Sequence, residues 1–335
     1  MIVRDGPKQP PYPLALIHPL GPLFRHLPLS LRRHLLFFRS FRTWGNFRNP
    51  RLWTEKMQWR VLNDRRALLV VASDKLASKA LVAQIAKRLN LAIHLPATLW
   101  AGMDVRELQA IAHQLPARWV LKPNSSSGRV RVIDSAIAPI DWDELLRVGT
   151  QWMDEDEESG ALGHWGYSEA RRMLIAEERV GGGDAPPPDL RTQVFSGNVL
   201  RFDWSSGYGT PQHHVACYAP DLRTRVFTGT TIEMPAEHHT PVDDFTKGQR
   251  VDIKKFVDAI GNGMDYLRID GYVDQGTYWF GELTTYAEGG LGYFAKRFNE
   301  AAGELWQLPD LSAPDPREPE WRALLQGVPK GTLQR

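Results

Sequence analysis

The sequence predicts an α+β fold, because helices and β-hairpins interleave along it without strict β-α-β repetition. The segment TQVFSGNVLRFDW (192–204) places two strand-like runs on either side of Ser196-Gly197-Asn198, which is typical of a hairpin. Residues 251–267 repeat apolar side chains at the helical period and therefore predict an amphipathic helix. Its predicted buried stripe consists of Ile253, Phe256, Val257, Ile260, Met264 and Leu267. These features favour α+β over a doubly wound parallel sheet.

The composition is that of a globular protein. The 335 residues can form two or three packed lobes, and a content of 42% hydrophobic and 24% charged residues excludes wholesale disorder. A single cysteine, Cys217, excludes a disulfide framework and fits a reducing compartment. No apolar run approaches the ~18 residues of a membrane span, and the opening MIVRDGPKQPPYP lacks the apolar core of a secretion signal. We therefore expect a soluble, cytoplasmic protein.

The first 51 residues form a basic arm. They contain nine Lys or Arg residues and one acid, Asp5, which gives +8 in a chain whose total charge is +2. Within this arm, PLFRHLPLSLRRHLLFFRSFRTW (22–44) mixes Leu, Phe and Trp with Arg and His, as a basic amphipathic helix does. Such an arm would contact an anionic polymer or the inner face of an anionic membrane. In the alternative interpretation, its apolar face packs on the body of the protein and its arginines are solvated.

Short elements follow the arm. Residues 67–72 form a strand-like run, and two strands are predicted within 119–133. A helix is expected over 141–153 and a strand over 173–180, after which glycines and prolines (181–188) indicate a boundary between lobes. The end of the chain, from residue 308, is rich in proline and charge and predicts a loosely packed tail. A further helix is predicted to begin at the capping residues Ser73-Asp74 and to bury Leu76, Leu81, Val82, Ile85 and Leu89.

A lysine and a serine-rich loop interrupt the two strands of WVLKPNSSSGRVRVI (119–133). Lys122 ends the first strand, and Ser125, Ser126, Ser127 and Gly128 follow it. Small residues let backbone N–H groups approach phosphate oxygens, and the lysine supplies charge, so the segment is a candidate phosphate-binding loop. It is not a Walker loop, because no Gly-Lys-Ser/Thr follows at the required spacing. The alternative is an ordinary hairpin with a polar turn.

The last hairpin brings two carboxylates together. If residues 275–277 form its loop, Asp274 pairs with Tyr278 and Asp270 lies opposite Glu282. Directly paired residues point to the same face with Cβ atoms ~5 Å apart, where two carboxylates repel unless a cation lies between them.

A hydroxyl joins this pair, because alternation places Thr284 on the same face as Glu282. An Asp, a Glu and a hydroxyl are hard oxygen ligands of the kind that Mg²⁺ takes beside substrate phosphates. The alternative is a surface ladder of charges that Arg268 neutralises.

These residues carry a resemblance to the ATP-grasp superfamily: a lysine with a serine-glycine loop, EERV (177–180), R-I-D (268–270) and G-E-L-T (281–284) occur there in this order. The chain resembles most closely the TupA-like ATP-grasp family, which is associated with teichuronopeptide and other surface-polysaccharide biosynthesis. The resemblance covers roughly residues 50–310. Its motifs are TEKMQWR (54–60), SDKLASKALV (73–82), LKPNSSSG (121–128), DLRTQVFSGNVLRF (189–202) and RIDGYV…YWFGELTTYAEGG (268–290).

The resemblance implies an ATP-grasp fold, in which two α+β lobes clasp ATP, preceded here by the basic helical arm. We expect the arm over residues 1–60 and an N-terminal α/β lobe over 61–117. The small ATP-grasp lobe, with the phosphate lid and hinge, would cover 118–185. The large lobe with the metal site would cover 186–310, and the tail 311–335.

The resemblance also implies roles for individual residues. Lys122 would bind the α- and β-phosphates, Ser125 to Gly128 would close over the β- and γ-phosphates, and Lys75 would be a second phosphate lysine. Glu177 and Val180 fall where the hinge meets adenine, and Asp184 is a candidate ribose partner.

Further roles concern the transferred group and the metal. Arg191 and Arg268 would steady the phosphoryl group and the developing acyl phosphate. Asp270, Glu282 and Thr284 would be the metal ligands, although the superfamily usually has asparagine where Thr284 stands. The segment 288–290 is a candidate acceptor loop or an ordinary glycine turn.

The resemblance implies an ATP- and Mg²⁺-dependent ligase that joins a carboxylate to an amine through an acyl phosphate. The expected substrates are ATP, a carboxylate and an amine, with a surface-glycan precursor among them, and no nucleic-acid partner is expected. The first alternative is a kinase of the same fold acting on a glycan or small-molecule hydroxyl. The second alternative is a nucleotide-binding or scaffold protein with a degenerate site.

Overall fold

A computed structural model describes residues 24, 26–126, 128–154, 162–181, 187–207, 210–227, 233–235, 237–292 and 296–326. The helices of this part of the chain are α1 (Leu29–Phe41), α2 (Trp53–Asn63), α3 (Ala67–Ser73), α4 (Lys75–Leu89), α5 (Val105–Ala110), α6 (Trp142–Asp154), α7 (Trp165–Glu169), α8 (Lys247–Gly261), α9 (Lys296–Leu305) and α10 (Glu318–Gln326). The strands are β1 (Thr98–Gly102), β2 (Arg118–Pro123), β3 (Arg131–Asp134), β4 (Leu174–Glu178), β5 (Asp189–Phe195), β6 (Asn198–Ser206), β7 (His214–Tyr218), β8 (Leu267–Asp274) and β9 (Thr277–Thr284). Short 3₁₀ turns occupy Ala112–Gln114 and Ala287–Gly290.

The first sheet has the strand order β1-β4-β2-β3, and each neighbouring pair is antiparallel. One face packs against α5 and α6 through a core that includes Trp100, Trp119 and Leu145. Because side chains alternate along a strand, Lys122 on β2 and Glu177 on β4 lie on the opposite face. The beginning of α4 contacts the sheet there.

The second sheet has the order β7-β6-β5-β8-β9 and is also antiparallel. Its apolar face packs against α8 and α4 in the largest core of the chain. Helix α4 thereby joins the two sheets: Leu76 contacts the first sheet and Leu81 the core of the second. The polar side chains of β5, β6, β8 and β9 collect on the other face of the second sheet.

The last hairpin contains two departures from ideal pairing that cancel. Its turn is Gln275-Gly276, both with positive φ, so Asp274 pairs with Thr277 and the predicted pairing of Asp274 with Tyr278 is wrong. A β-bulge between Asp270 and Gly271 then inserts one extra residue on β9. The predicted opposition of Asp270 and Glu282 is confirmed.

A glycine is needed at that bulge. A Cβ on Gly281 would lie 2.9 Å from the carbonyl oxygen of Asp270, closer than side-chain carbons approach backbone oxygens. The bulge therefore rests on Gly281, which sets the register of Glu282.

Several predicted elements need correction. Residues 67–72 form part of helix α3 rather than a strand, because every side chain of this short apolar run is buried and such a run has no diagnostic period. Leu89 ends α4 and is exposed. Helix α8 begins and ends earlier than predicted, so Met264 and Leu267 are buried beyond it.

The C-terminal region is not uniformly loose. Helix α10 packs against α3 and α4, and the side chain of Trp321 is completely buried. The prediction of a loosely packed tail is therefore wrong for this helix.

The remaining predicted elements are confirmed. They include the two strands within 119–133, the helix entered through Asp141, strand β4 and the hairpin β5–β6. The turn of that hairpin, Ser196-Gly197, has positive φ at both positions.

The basic arm packs on the body over the residues that are described. Leu36 and Phe37 of α1 form a cluster with Leu162 and Leu291, and Arg33 is fully buried. The packed-arm alternative is therefore confirmed for one face of α1, although Arg33 is not solvated as that alternative assumed. A second stripe of α1 (Leu31, Leu35 and Phe38) remains exposed.

Candidate functional site

Two lysines hold one buried carboxylate, Glu177, and a third lysine lies near them on helix α4. Lys122 Nζ lies 2.5 Å from Glu177 Oε2, and Lys79 Nζ lies 2.9 Å from Glu177 Oε1. Lys75 lies one helical turn before Lys79 on α4 and therefore projects from the same side of the helix. Burial alone would raise the pKa of Glu177, but the ammonium groups of Lys122 and Lys79 lower it to about 2. The cluster carries excess positive charge suited to an anionic ligand.

Glu177 makes the stability of the fold sensitive to acid. Its pKa in the folded chain is lowered from 4.5 to about 2, so its ion pairs stabilise fully above about pH 4.5 and are lost as the pH falls through about 2. The shift corresponds to about 3 kcal/mol. We expect Glu177→Gln to flatten the dependence of the free energy of unfolding on pH in this window, measured by urea denaturation. An unchanged slope would contradict the ion-pair assignment.

The serine loop is anchored to the start of α4. Asn124 is fully buried; its backbone oxygen accepts from Lys75 N and its Oδ1 accepts from Leu76 N. Lys75 Nζ donates to the carbonyl oxygen of Ser126 and lies 3.7 Å from Glu282 Oε2. Lys75 thus links the candidate phosphate loop to the candidate metal carboxylates.

Other predicted nucleotide residues lie around this point. Ser125 is partly exposed, and Gly128 is exposed with a φ of 71° and open space around it. Val180 is buried just beyond β4. Ser127 and Asp184 lie outside the described residues, and their predicted roles remain predictions. Both oxygens of Glu177 are taken by lysines, so its side chain positions Lys122, and its contact with adenine remains a prediction.

A row of directly opposed residues crosses the second sheet on its polar face. Cys217 on β7 is opposite Asp203 on β6, and Asp203 is opposite Arg191 on β5. Arg191 is opposite Asp270 on β8, and Asp270 is opposite Glu282 on β9. The charges of the row alternate over the three adjacent strands β6, β5 and β8, and β9 adds a second carboxylate beside Asp270.

Arginines pair with acids in this row and beside it. Arg268 donates to both oxygens of Asp270 at 2.7 and 2.6 Å, and Arg191 Nη2 donates to Asp189 Oδ2 at 2.5 Å. Burial raises the pKa of Asp189. The nearby Arg191 lowers this pKa, whereas the carboxylate of Asp270 raises it further. Arg268 therefore neutralises Asp270 as the ladder alternative supposed. The ladder is not at the surface, because the Asp270 side chain is only 13% exposed.

The carboxylates suit a magnesium ion by their chemistry. Asp270 and Glu282 are opposed on one face, and Thr284 Oγ1 lies 3.3 Å from Asp270 Oδ2, so three hard oxygen donors share this face. Each carboxylate lies beside a cation: Arg268 pairs with Asp270, and Lys75 lies near Glu282. These cations provide the neutralisation that two adjacent carboxylates need. No cluster of three His, Cys, Asp or Glu that could hold a metal occurs within the described residues. The third donor would therefore be Thr284, the substrate or water.

Sequence reasoning missed two contributors to the site. Lys79 is four residues after Lys75, and this helical spacing was the available signal. Asp203 follows Arg201 by two residues on β6, so strand alternation from the hairpin turn would have placed it on the polar face.

None of the helices in the described part of the chain combines the length and the apolar content that a membrane span requires.

No curated protein matches the chain. Among solved structures, it is similar to the L-amino acid ligase from Bacillus licheniformis (13% identity, 82% of this chain and 55% of that chain, TM-score 0.40). It is also similar to D-alanine–D-alanine ligase from Bacillus anthracis complexed with ATP (16% identity, 64% and 54%, TM-score 0.32).

A third similar structure is N5-carboxyaminoimidazole ribonucleotide synthetase in its ADP complex (13% identity, 72% and 52%, TM-score 0.40). The chain spans only about half the length of these three proteins. With TM-scores below 0.5, the likenesses carry no argument about function. The family model for TupA-like ATP-grasp proteins, however, matches residues 55–307, which is most of the chain and includes every residue of the lysine cluster and the polar row. The chain therefore belongs to the TupA-like ATP-grasp family.

Proposed function

We propose that this protein is an ATP-dependent ligase that joins a carboxylate to an amine, acting on a precursor of a surface polysaccharide or glycoconjugate. One observation carries the proposal: a lysine cluster on β2 and α4 lies beside a row of charged residues on the second sheet, and Lys75 links the two through Ser126 and Glu282. A polyphosphate and a second anionic substrate would both find cationic partners there. The choice of a glycan precursor as substrate rests on the association of the TupA-like family with surface-polysaccharide biosynthesis.

The reaction has two steps. A carboxylate oxygen attacks the γ-phosphorus of ATP, the bond to the β-γ bridging oxygen breaks, and an acyl phosphate and ADP form. The amine nitrogen then attacks the acyl carbon, phosphate leaves with the C–O electron pair, and the nitrogen loses a proton, which gives the amide. Each step needs positioning and charge neutralisation more than covalent participation of the protein.

The residues of the site divide this work. Lys75 and Lys122 bind the phosphates, and Glu177 holds Lys122 in place. Arg191 and Arg268 neutralise the charge that develops on the transferred phosphoryl group. Asp270, Glu282 and Thr284 would hold magnesium, which would neutralise phosphate oxygens when bound.

The test is ATP turnover by the full chain with a panel of uronic acids and amino acids, each tried with an amine panel, and product masses determined. We expect one carboxylate to give ADP, phosphate and an amide. A phosphorylated hydroxyl compound without free phosphate would show the kinase alternative. ATP binding without substrate-dependent turnover would show the degenerate-site alternative.

We further propose that α1 rests on an anionic membrane at its cytoplasmic face. Its exposed stripe of Leu31, Leu35 and Phe38 continues to Trp44, whose ring stacks on Phe38 with centroids 4.8 Å apart. Residues 26–54 contain no acid, and Arg42, Arg48 and Arg51 are exposed. Apolar and aromatic side chains framed by arginine suit a lipid interface better than a soluble polymer.

We expect the protein to sediment with vesicles that contain phosphatidylserine, less at high salt, and not with neutral vesicles. The double variant Leu35→Ser/Phe38→Ser should lose binding, whereas Leu305→Ser, an exposed leucine on α9, should not. Equal sedimentation of both variants would contradict the membrane proposal, and binding to acidic glycans alone would show the polymer interpretation.

A further inference from the structure

A hydrogen-bonded serine and histidine lie on the polar face of the second sheet. Ser205 Oγ and His213 Nε2 are 3.0 Å apart, and Ser205 is buried. Ser205 follows Asp203 by two residues on β6, so strand alternation places these two side chains on the same face. His213 directly precedes β7. The pair therefore belongs to the same surface as the polar row.

Strand pairing places this pair beside Arg191. Ser205 is directly opposite Asp189 on β5, and the Cβ atoms of directly paired residues lie ~5 Å apart. Asp189 Oδ2 in turn accepts from Arg191 Nη2 at 2.5 Å. Only the side chains of Ser205 and Asp189 therefore separate His213 from the arginine that is assigned to the transferred phosphoryl group.

The pair lies on the opposite side of Arg191 from the candidate metal ligands. In the strand order β7-β6-β5-β8-β9, Arg191 is on β5, Asp270 and Glu282 are on β8 and β9, and Ser205 is on β6. In an acyl phosphate, the phosphoryl group would lie beside the metal carboxylates and the acyl carbon farther from them. An amine that attacks this carbon would approach from the side of β6 and β7.

Its surroundings keep the His213 imidazole in the form that accepts a proton. Partial burial lowers the pKa of His213 below 6.5, and the positive charges of Arg191 and His214 lower it further. The Asp189 carboxylate acts in the opposite direction. The neutral ring therefore predominates at pH 7. In the tautomer with its proton on Nε2, this nitrogen donates to Ser205 Oγ, and Nδ1 holds the basic lone pair.

We propose that His213 accepts the proton that the amine nitrogen loses when it attacks the acyl phosphate. The N–C bond forms, the C–O bond to phosphate breaks, and phosphate leaves with the electron pair. The N–H proton passes to the imidazole, and the imidazolium then releases it to water. Ser205 is a positioning residue, because it holds the ring and does not touch the substrate. This assignment rests on the proposed ligase function and concerns its second step.

The first test compares two nucleophiles for the same acyl phosphate. Hydroxylamine is largely uncharged at neutral pH and forms a hydroxamate without needing a protein base, whereas the amine substrate must give up its proton. His213→Gln keeps a side chain that can bond to Ser205 but has no basic nitrogen. In the full chain with this change, we expect amide formation to fall about a hundredfold or more, and hydroxamate formation to stay within about threefold of wild type. The ATP affinity, measured by calorimetry, should not change.

The second test is the pH profile of amide formation at a constant concentration of unprotonated amine. The folded pKa of His213 lies below 6.5, so wild-type activity should be full at pH 7 and fall as the pH drops through that pKa. His213→Gln should lack this fall. Ser205→Ala should lower amide formation by roughly tenfold, the scale of one lost hydrogen bond, and should keep the fall because the imidazole remains.

The control is His113→Gln, which removes an exposed imidazole from the Ala112–Gln114 turn and should behave as wild type. Amide formation by His213→Gln within about threefold of wild type, or the same acid fall in both proteins, would overturn the assignment. Equal loss of hydroxamate and amide formation in a folded His213→Gln would overturn it too, because His213 would then act before the amine. If wild type forms no hydroxamate and no ADP with any carboxylate, the ligase function fails, and this assignment fails with it.

Discussion

Replacing Glu282 by glutamine should abolish most Mg²⁺-dependent turnover, by about a hundredfold or more, which is the loss typical of removing one preorganised charge from a reaction centre. Glutamine keeps the size of the side chain, and Gly281 still supports the bulge, so the hairpin should form. Thermal stabilisation by Mg·ATP should fall as well, because a ligand stabilises in proportion to its binding. The readouts are turnover as a function of Mg²⁺ concentration and the melting temperature with and without Mg·ATP.

Companion variants make this result specific. Asp270→Asn should behave like Glu282→Gln, and the double variant should be little worse than either, since both carboxylates serve one ion. Glu300→Gln, on the surface of α9, should retain full turnover. Full Mg²⁺-dependent turnover in Glu282→Gln would contradict the metal assignment. The two carboxylates would then be part of a charge ladder with Lys75 and Arg268.

Replacing Lys122 by alanine should weaken ATP binding by about 1.5–3 kcal/mol, or roughly 10- to 150-fold in Kd, the range for a hydrogen bond to a charged group. The lysine lies on the strand next to that of the buried Glu177, so its removal also leaves Lys79 as the remaining cation partner of that carboxylate within the described residues. Calorimetric titration with ATP measures the affinity, and urea denaturation shows whether the variant folds.

The matched control is Lys254→Ala, which removes a half-exposed lysine that pairs with Asp258 on α8. It should leave the ATP affinity unchanged. Unchanged affinity in a folded Lys122→Ala would instead favour the alternative in which the serine loop is an ordinary hairpin turn.

Alternation and pairing predicted much of the site from the sequence. The opposition of Asp270 and Glu282 followed from counting back from a glycine turn, although the turn is one residue shorter than predicted and the bulge at Gly281 restores the count. That agreement is partly fortunate, because a bulge leaves no mark in the apolar-polar pattern beyond the glycine itself.

Other features could not be predicted because burial decides them. The run at 67–72 is apolar throughout, so periodicity cannot distinguish a buried helix from a buried strand. In the sequence, Arg33 is one of several arginines in a basic arm, which predicts a solvated side chain. In the structure, its guanidinium group donates to the carbonyl oxygens of Leu162 and Gly289. Contacts between residues more than a hundred positions apart leave no local signal.

The central claim, that the γ-phosphoryl group of ATP passes to a carboxylate, can be tested with an isotope. The carboxylate substrate found in the panel is labelled with ¹⁸O in both oxygens, and the phosphate released in amide formation is analysed by mass. Attack by a carboxylate oxygen on the γ-phosphorus predicts one ¹⁸O in each phosphate released, since the C–O bond of the acyl phosphate breaks in the second step. Unlabelled phosphate, with the displaced ¹⁸O found in AMP or in water instead, would contradict the account.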